Sequence, residues 1–293
     1  MKPLILLSAS LLLPTVASAS QVTAQQGGVA RWAEPKASAC GFMGERYPAI
    51  DGTCFYPVDF QAKTGIHEIA LYDEDGVQHL GSLRVLPTDF PEVEIELDDD
   101  RLVTLEGEDR TRHGEERQAV LSALSVSADQ PQFELPLEGP VASIPASEDD
   151  FGSERIFNGK ATSHHTGRDA PVSVGTPLHA VADGTVVLAA DHLLTGKAVY
   201  VDHGGGLVSM LFHLSELDVP TGDEVKQGQV LGKVGSTGRS TGPHMHLGLR
   251  WMDQRIDPYL LLEDPEQLPS VADTRAEATA KIEEAEEMEP AEG

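Results

Sequence analysis

Basic residues are scarce in this chain. Its 293 residues hold 21 Lys and Arg against 48 Asp and Glu, a formal charge of −27. Binding to nucleic acid or to an anionic lipid surface needs a basic footprint, and this balance excludes it. Cysteine is scarcer still. Cys40 and Cys54 are the only two, too few for a thiolate metal site, and their separation suits a local disulfide worth about 3 kcal/mol. Outside the N-terminus no run approaches the roughly 20 apolar residues of a membrane span. What is present is enough for a packed core, with 40% hydrophobic residues. The 28 Gly and 19 Pro favour turn-rich β structure over a helical bundle.

The first 19 residues read as a signal peptide. Lys2 supplies positive charge, Leu4 to Leu13 an apolar run, and Ala17-Ser18-Ala19 a small-x-small cleavage signal. The expected location is therefore exported, with the periplasm favoured and full secretion the alternative. Export also supplies the oxidising conditions that a disulfide needs.

Charge divides the rest of the chain. Residues 88–154 carry 4 basic and 19 acidic groups, whereas residues 155–262 carry 9 and 10. Residues 27–106 read as short strands between turns, a small β-sandwich. Within them Asp73-Glu74-Asp75-Gly76 separates two apolar runs as a hairpin turn does. A strand is expected over 93–105, broken by a turn at the Asp run 98–100. Residues 107–150 read as an amphipathic helix over 109–124 and then an extended acidic linker with Pro131, Pro136, Pro140 and Pro145. Residues 263–293 form an acidic tail with few apolar groups. His67, His79 and His113 stand without partners at ligand spacing and read as surface residues.

Eight of the 11 histidines lie between positions 164 and 246. In Gly242-Pro243-His244-Met245-His246-Leu247, residues two apart on a strand face the same way, so His244 and His246 face one site while Met245 and Leu247 pack behind. In His165-Thr166-Gly167-Arg168-Asp169 an imidazole and a carboxylate meet across a Gly turn. Two imidazoles plus one carboxylate make a catalytic zinc set, in which three protein ligands leave a fourth position for water. His213, in Leu211-Phe212-His213-Leu214-Ser215, and one member of the His-x-His pair are then left for proton transfer and oxyanion stabilisation. His203, after Asp202, is a candidate support for the site. His164, adjacent to His165, is expected to point elsewhere, and His179 and His192 read as structural.

These stretches occur in order with Phe151-Gly152-Ser153-Glu154-Arg155, Phe157-Asn158-Gly159, Ala182-Asp183-Gly184, Asp202-His203-Gly204, Gly235-Ser236-Thr237-Gly238 and Asp257-Pro258. Residues 151–258 thereby resemble the LytM/lysostaphin-type zinc metalloendopeptidases, which sets a domain at 151–262, and the upstream half is similar to a β-sandwich that precedes this domain in some relatives. The resemblance implies a mainly β fold, with an N-terminal sandwich and a C-terminal antiparallel β domain carrying zinc in an open groove. It implies metal ligands at His165, Asp169 and His246, catalytic histidines at His213 and His244, and peptide cross-bridges of peptidoglycan as substrate. His164 departs from the family, where Pro is frequent, and is expected at the groove rim.

Two other classes fit parts of this pattern. Some relatives are non-catalytic, wall-binding regulators of other hydrolases, but they have lost ligands that this chain retains. A lipoyl-carrier module matches Gly222-Asp223-Glu224-Val225-Lys226-Gln227-Gly228, yet no Lys sits at a hairpin tip. Segment 128–150 and the sandwich are also placed to cover the groove, with Glu148, Asp149 or Asp150 reaching the metal.

Overall fold

A computed structural model of the chain describes residues 20–145 and 151–271. The segment expected to be a signal peptide, the acidic triplet 148–150 and most of the acidic tail lie outside the described residues.

The N-terminal unit is built on a five-stranded sheet in the order Ser20–Gln25, Gln78–Leu86, Gly65–Asp73, Ala37–Phe42 and Glu45–Pro48. A two-stranded ribbon, Val29–Trp32 with Cys54–Pro57, shares its core. Trp32, Tyr56, Ile69, Leu71 and Leu83 are fully buried there, and the Cys40–Cys54 disulfide ties sheet to ribbon. The expected hairpin turn forms at Asp73–Gly76. The Asp73 carboxylate accepts from Val77 N at 2.8 Å, and Gly76 adopts φ +79°, a conformation cheap only for glycine. The unit begins earlier than residue 27, because Ser20–Gln25 already pairs in parallel with Gln78–Leu86.

The C-terminal unit centres on a seven-stranded sheet. Its path runs Gly167–Ala170, Met245–Trp251, Leu207–Leu214, Gly196–Asp202, Gly184–His192 and Glu224–Val225, with Gln254–Ile256 added beside Met245–Trp251. Alternation along Met245–Trp251 buries Met245, Leu247, Leu249 and Trp251 completely, which fixes the opposite face for His244 and His246.

Three elements differ from the sequence expectation. The strand expected over 93–105 is only Glu92–Ile95, followed by a short 3₁₀ turn at Asp100–Leu102. It leaves the N-terminal sheet and pairs in parallel with Glu154–Phe157, making a three-stranded sheet with Ala161–His164. The helix forms over Gly107–Leu124, but none of its residues is buried. Only Val120 and Leu124 pack against Ala198, Tyr200, Val208 and Met210, so the amphipathic expectation is overstated. The Pro-rich segment is a packed strap. Phe133, Leu137 and Val141 enter the C-terminal core, and its backbone bonds to His203 O, Leu261 O and Val181 O. Proline denies this stretch a sheet ladder, yet three apolar side chains spaced four apart still anchor it.

Candidate metal centre and its groove

Strand register assembles the site. Gly167–Ala170 runs antiparallel to Met245–Trp251 with Asp169 directly opposite His246, so two side chains 77 positions apart share one sheet face. The Asp169 Oδ1 atom lies 2.8 Å from His246 Nδ1 and 3.2 Å from His165 Nε2, and those two ring nitrogens are 3.0 Å apart. The three donor atoms all lie within 4.8 Å of one another, at a site where both histidines are buried. Gly167 makes this approach feasible. A Cβ there would stand 2.6 Å from His246 Nε2 and 2.5 Å from Leu247 O.

Neighbouring groups orient each donor. Arg155, on Glu154–Phe157, holds the other Asp169 oxygen, Oδ2, at 2.7 Å. That leaves Oδ1 to point at the histidines. The ring of Phe212 is stacked on His246, with centroids 4.8 Å apart and planes 8° from parallel. Burial resists ionisation of Asp169, but hydrogen bonds from His165 and His246 outweigh it and hold the carboxyl far below its usual range. Burial, aided by the neighbouring His165 and His244 rings, pulls the His246 ring down against the opposing pull of Asp169.

His213 and His244 stand beside this trio. Their ring centroids are 5.0 Å apart, and His244 Nε2 is 3.5 Å from Asp169 Oδ1. His213 is the penultimate residue of the strand Leu207–Leu214 and has φ +61°, a left-handed conformation that bends its ring into the groove. Its Nδ1 lies 2.8 Å from Thr237 O, and His244 Nδ1 lies 2.8 Å from Gly242 O. A carbonyl only accepts, so each Nδ1 carries a proton, and Nε2 is the nitrogen that offers a lone pair when the ring is neutral. The His244 Nε2 is buried without a hydrogen-bond partner among the described residues. Burial, reinforced by His246, lowers the His213 pKa to about 3, so this ring is neutral at physiological pH.

The groove in front of these rings has a volume of about 310 Å³. It is lined by the loop from Arg239 to His244 and by Arg155, Phe157, Ile95 and Leu97. The strap does not line it, and residues 148–150 lie outside the described part. His164 turns away from the rim and packs its ring 5.1 Å from Phe60, beside Phe90 and Phe151. His203 is fully buried but supports the fold rather than the site, bonding Asp183 O and Ser209 Oγ at 2.7 Å each. His179 bonds the strap at Pro140 O, and His192 packs near Tyr200.

All five expected side chains therefore meet in one place. Sequence reasoning gave no role to Arg155, Phe212 or Thr237, and read Gly242 only as part of a tight loop. All four stand within quoted motifs, and the only signal for Phe212 is its position one residue before His213.

Comparison with known proteins agrees with this geometry. Residues 163–258 match the model of Peptidase family M23. A 90-residue segment, 31% of this chain, is 39% identical to the peptidoglycan DD-endopeptidase ShyA of Vibrio cholerae. A 94-residue segment, 32% of this chain, is 42% identical to the DD-carboxypeptidase/endopeptidase Mpg of Neisseria meningitidis. The chain spans about a fifth of the length of these curated relatives, 21% and 22%. The likeness of structure reaches further. A crystal structure of a putative peptidase M23 from Pseudomonas aeruginosa is 29% identical with a TM-score of 0.62, over 81% of this chain and 94% of the other. The chain thus carries a domain of Peptidase family M23, the LytM type, within a mainly β fold.

Proposed function

We propose that the protein is a zinc-dependent endopeptidase that cuts peptide cross-bridges of bacterial peptidoglycan. The observation that carries this reading is the convergence of His165, Asp169 and His246 beside two histidines whose Nε2 lone pairs are bare.

The donor set fits zinc. Two imidazoles and one carboxylate oxygen are borderline-to-hard donors, and Arg155 restrains the carboxylate to one oxygen. A zinc ion held there would supply Lewis acidity and an activated water. The remaining work falls to side chains of this chain. His213 and His244 lie on the groove wall, where one accepts a proton at Nε2 and the other donates a hydrogen bond once protonated. Thr237 O and Gly242 O keep both rings in the required tautomer and stabilise the imidazolium that forms.

Export to the periplasm is part of the same proposal. It is supported by the N-terminal Lys2, Leu4–Leu13 and Ala17–Ala19 pattern, and the Cys40–Cys54 disulfide fits an oxidising compartment. Among the described residues no helix is long and apolar enough to cross a membrane.

The test is digestion of purified peptidoglycan by zinc-loaded protein, with products read by mass spectrometry and a chelator control. Cleaved cross-bridges that disappear on chelation are expected. Zinc-loaded protein that binds the wall but releases nothing would overturn this reading in favour of a regulator of other hydrolases.

A further inference from the structure

One cation in the groove is left without a counter-charge. Arg155 is spent on Asp169, but Arg239, which lines the same groove, has no carboxylate partner among the described residues. Its guanidinium lies 3.9 Å above the Phe157 ring and donates one hydrogen bond from Nη2 to Ser163 Oγ at 3.0 Å. These contacts fix the plane of the group and leave most of its five N–H donors unused. Burial, with Arg155 nearby, lowers its pKa to about 10. A partly desolvated charge of this kind is costly unless something neutralises it. The chain carries 48 acidic residues, yet none of the described ones is brought to this position.

We propose that Arg239 is a substrate-binding residue that pairs with a free carboxylate on the peptide, next to the bond being cut. Arg239 lines the same groove as His213, His244 and Asp169, so a carboxylate held there fixes the register of the peptide against the two histidines. A planar guanidinium offers two parallel donors to a carboxylate, which a carboxamide cannot match in charge or geometry. Enzyme specificity would thus depend on whether the peptide's carboxylates are free or amidated. The inference rests on the endopeptidase reading and names a determinant of its substrate.

The probe is a purified cross-linked muropeptide dimer, compared with the same dimer after its carboxylates are converted to carboxamides. Zinc-loaded wild type, Arg239→Gln and Arg239→Lys are assayed on both, and binding of both dimers to an inactive His244→Ala variant is measured by calorimetry, with and without Arg239→Gln. Wild type is expected to prefer the free carboxylate by about tenfold to a hundredfold, mainly in KM. Arg239→Gln should lose that preference while zinc content stays stoichiometric, and Arg239→Lys should keep part of it. Equal use of both dimers by wild type overturns the proposal. So does an Arg239→Gln defect equal on both, which would mean a purely structural clamp on Phe157 and Ser163. Wild type that cleaves neither dimer sinks the endopeptidase reading instead, and calorimetry then still decides whether Arg239 selects carboxylate.

Discussion

The Phe212 ring lies flat against the His246 imidazole, 4.8 Å between centroids, because the two residues are cross-strand partners. The stacking blocks rotation of His246 about its side-chain bonds and keeps Nδ1 aimed at Asp169. A ligand free to rotate must lose that freedom on binding metal, which weakens affinity. Phe212→Ala is expected to lower zinc affinity about 10- to 100-fold, measured by competition with a chromophoric chelator. Phe212→Leu, which retains apolar bulk without a flat face, should fall between. Unchanged affinity in Phe212→Ala would mean that the strand backbone alone positions His246.

Arg155 acts on the same centre through Asp169. Its hydrogen bond to Oδ2 is short and only partly exposed, with the two side chains 19% and 22% accessible. Arg155→Gln removes the charge that commits this carboxylate to one orientation. Zinc affinity is expected to fall by about 10- to 100-fold, with the larger effect at low zinc and recovery of turnover when zinc is raised. An activity loss that excess zinc does not restore would assign Arg155 to the peptide rather than to the metal.

Much of this site was legible in the sequence, for a local reason. His165 lies just before the strand that carries Asp169 and His244 just before the strand that carries His246, so a Gly turn and the two-residue period of extended chain are sufficient to bring each pair to one site. The non-local relationships were not legible. Asp169 faces His246 because of a pairing register across 77 positions, and no short window of sequence encodes it. The strap at 131–145 was misread because its four prolines dominate its composition, while Phe133, Leu137 and Val141 determine its packing. Likewise Glu92–Ile95 reads as a strand of the N-terminal unit, and only the fold shows it crossing over to build the groove wall.

His244 and His246 are two residues apart but should fail differently. His246→Ala removes one of three donors and is expected to lose stoichiometric zinc, seen by elemental analysis of the purified protein. His244→Ala removes a ring whose Nε2 faces the centre without being part of the trio. It is expected to keep zinc and lose about 10²–10³ in turnover, in the range measured for removing one oxyanion donor elsewhere. Stoichiometric zinc in His246→Ala would contradict the ligand assignment, and full turnover in zinc-loaded His244→Ala would contradict the catalytic one.

Acid should weaken the fold through His203, well away from the metal trio. The ring is fully buried, donating Nδ1–H to Asp183 O and accepting at Nε2 from the Ser209 hydroxyl. Burial holds its pKa below the usual value near 6.5. The unfolded chain therefore takes up a proton below about pH 6.5 that the folded chain refuses. The stability contributed by the neutral ring is complete above that pH and is lost as pH falls towards the folded pKa, by up to about 1.4 kcal/mol per unit. His203→Asn keeps a donor for Asp183 O but cannot titrate. It should be less stable than wild type at pH 7.5 and should lose less stability between pH 6.5 and 5, followed by urea denaturation with zinc chelated in both proteins. His192 and His213 are also lowered by burial and contribute the same slope to both proteins, so the difference isolates His203. Identical pH dependence in the two would show that His203 is already charged in the fold, which the complete burial of its ring argues against.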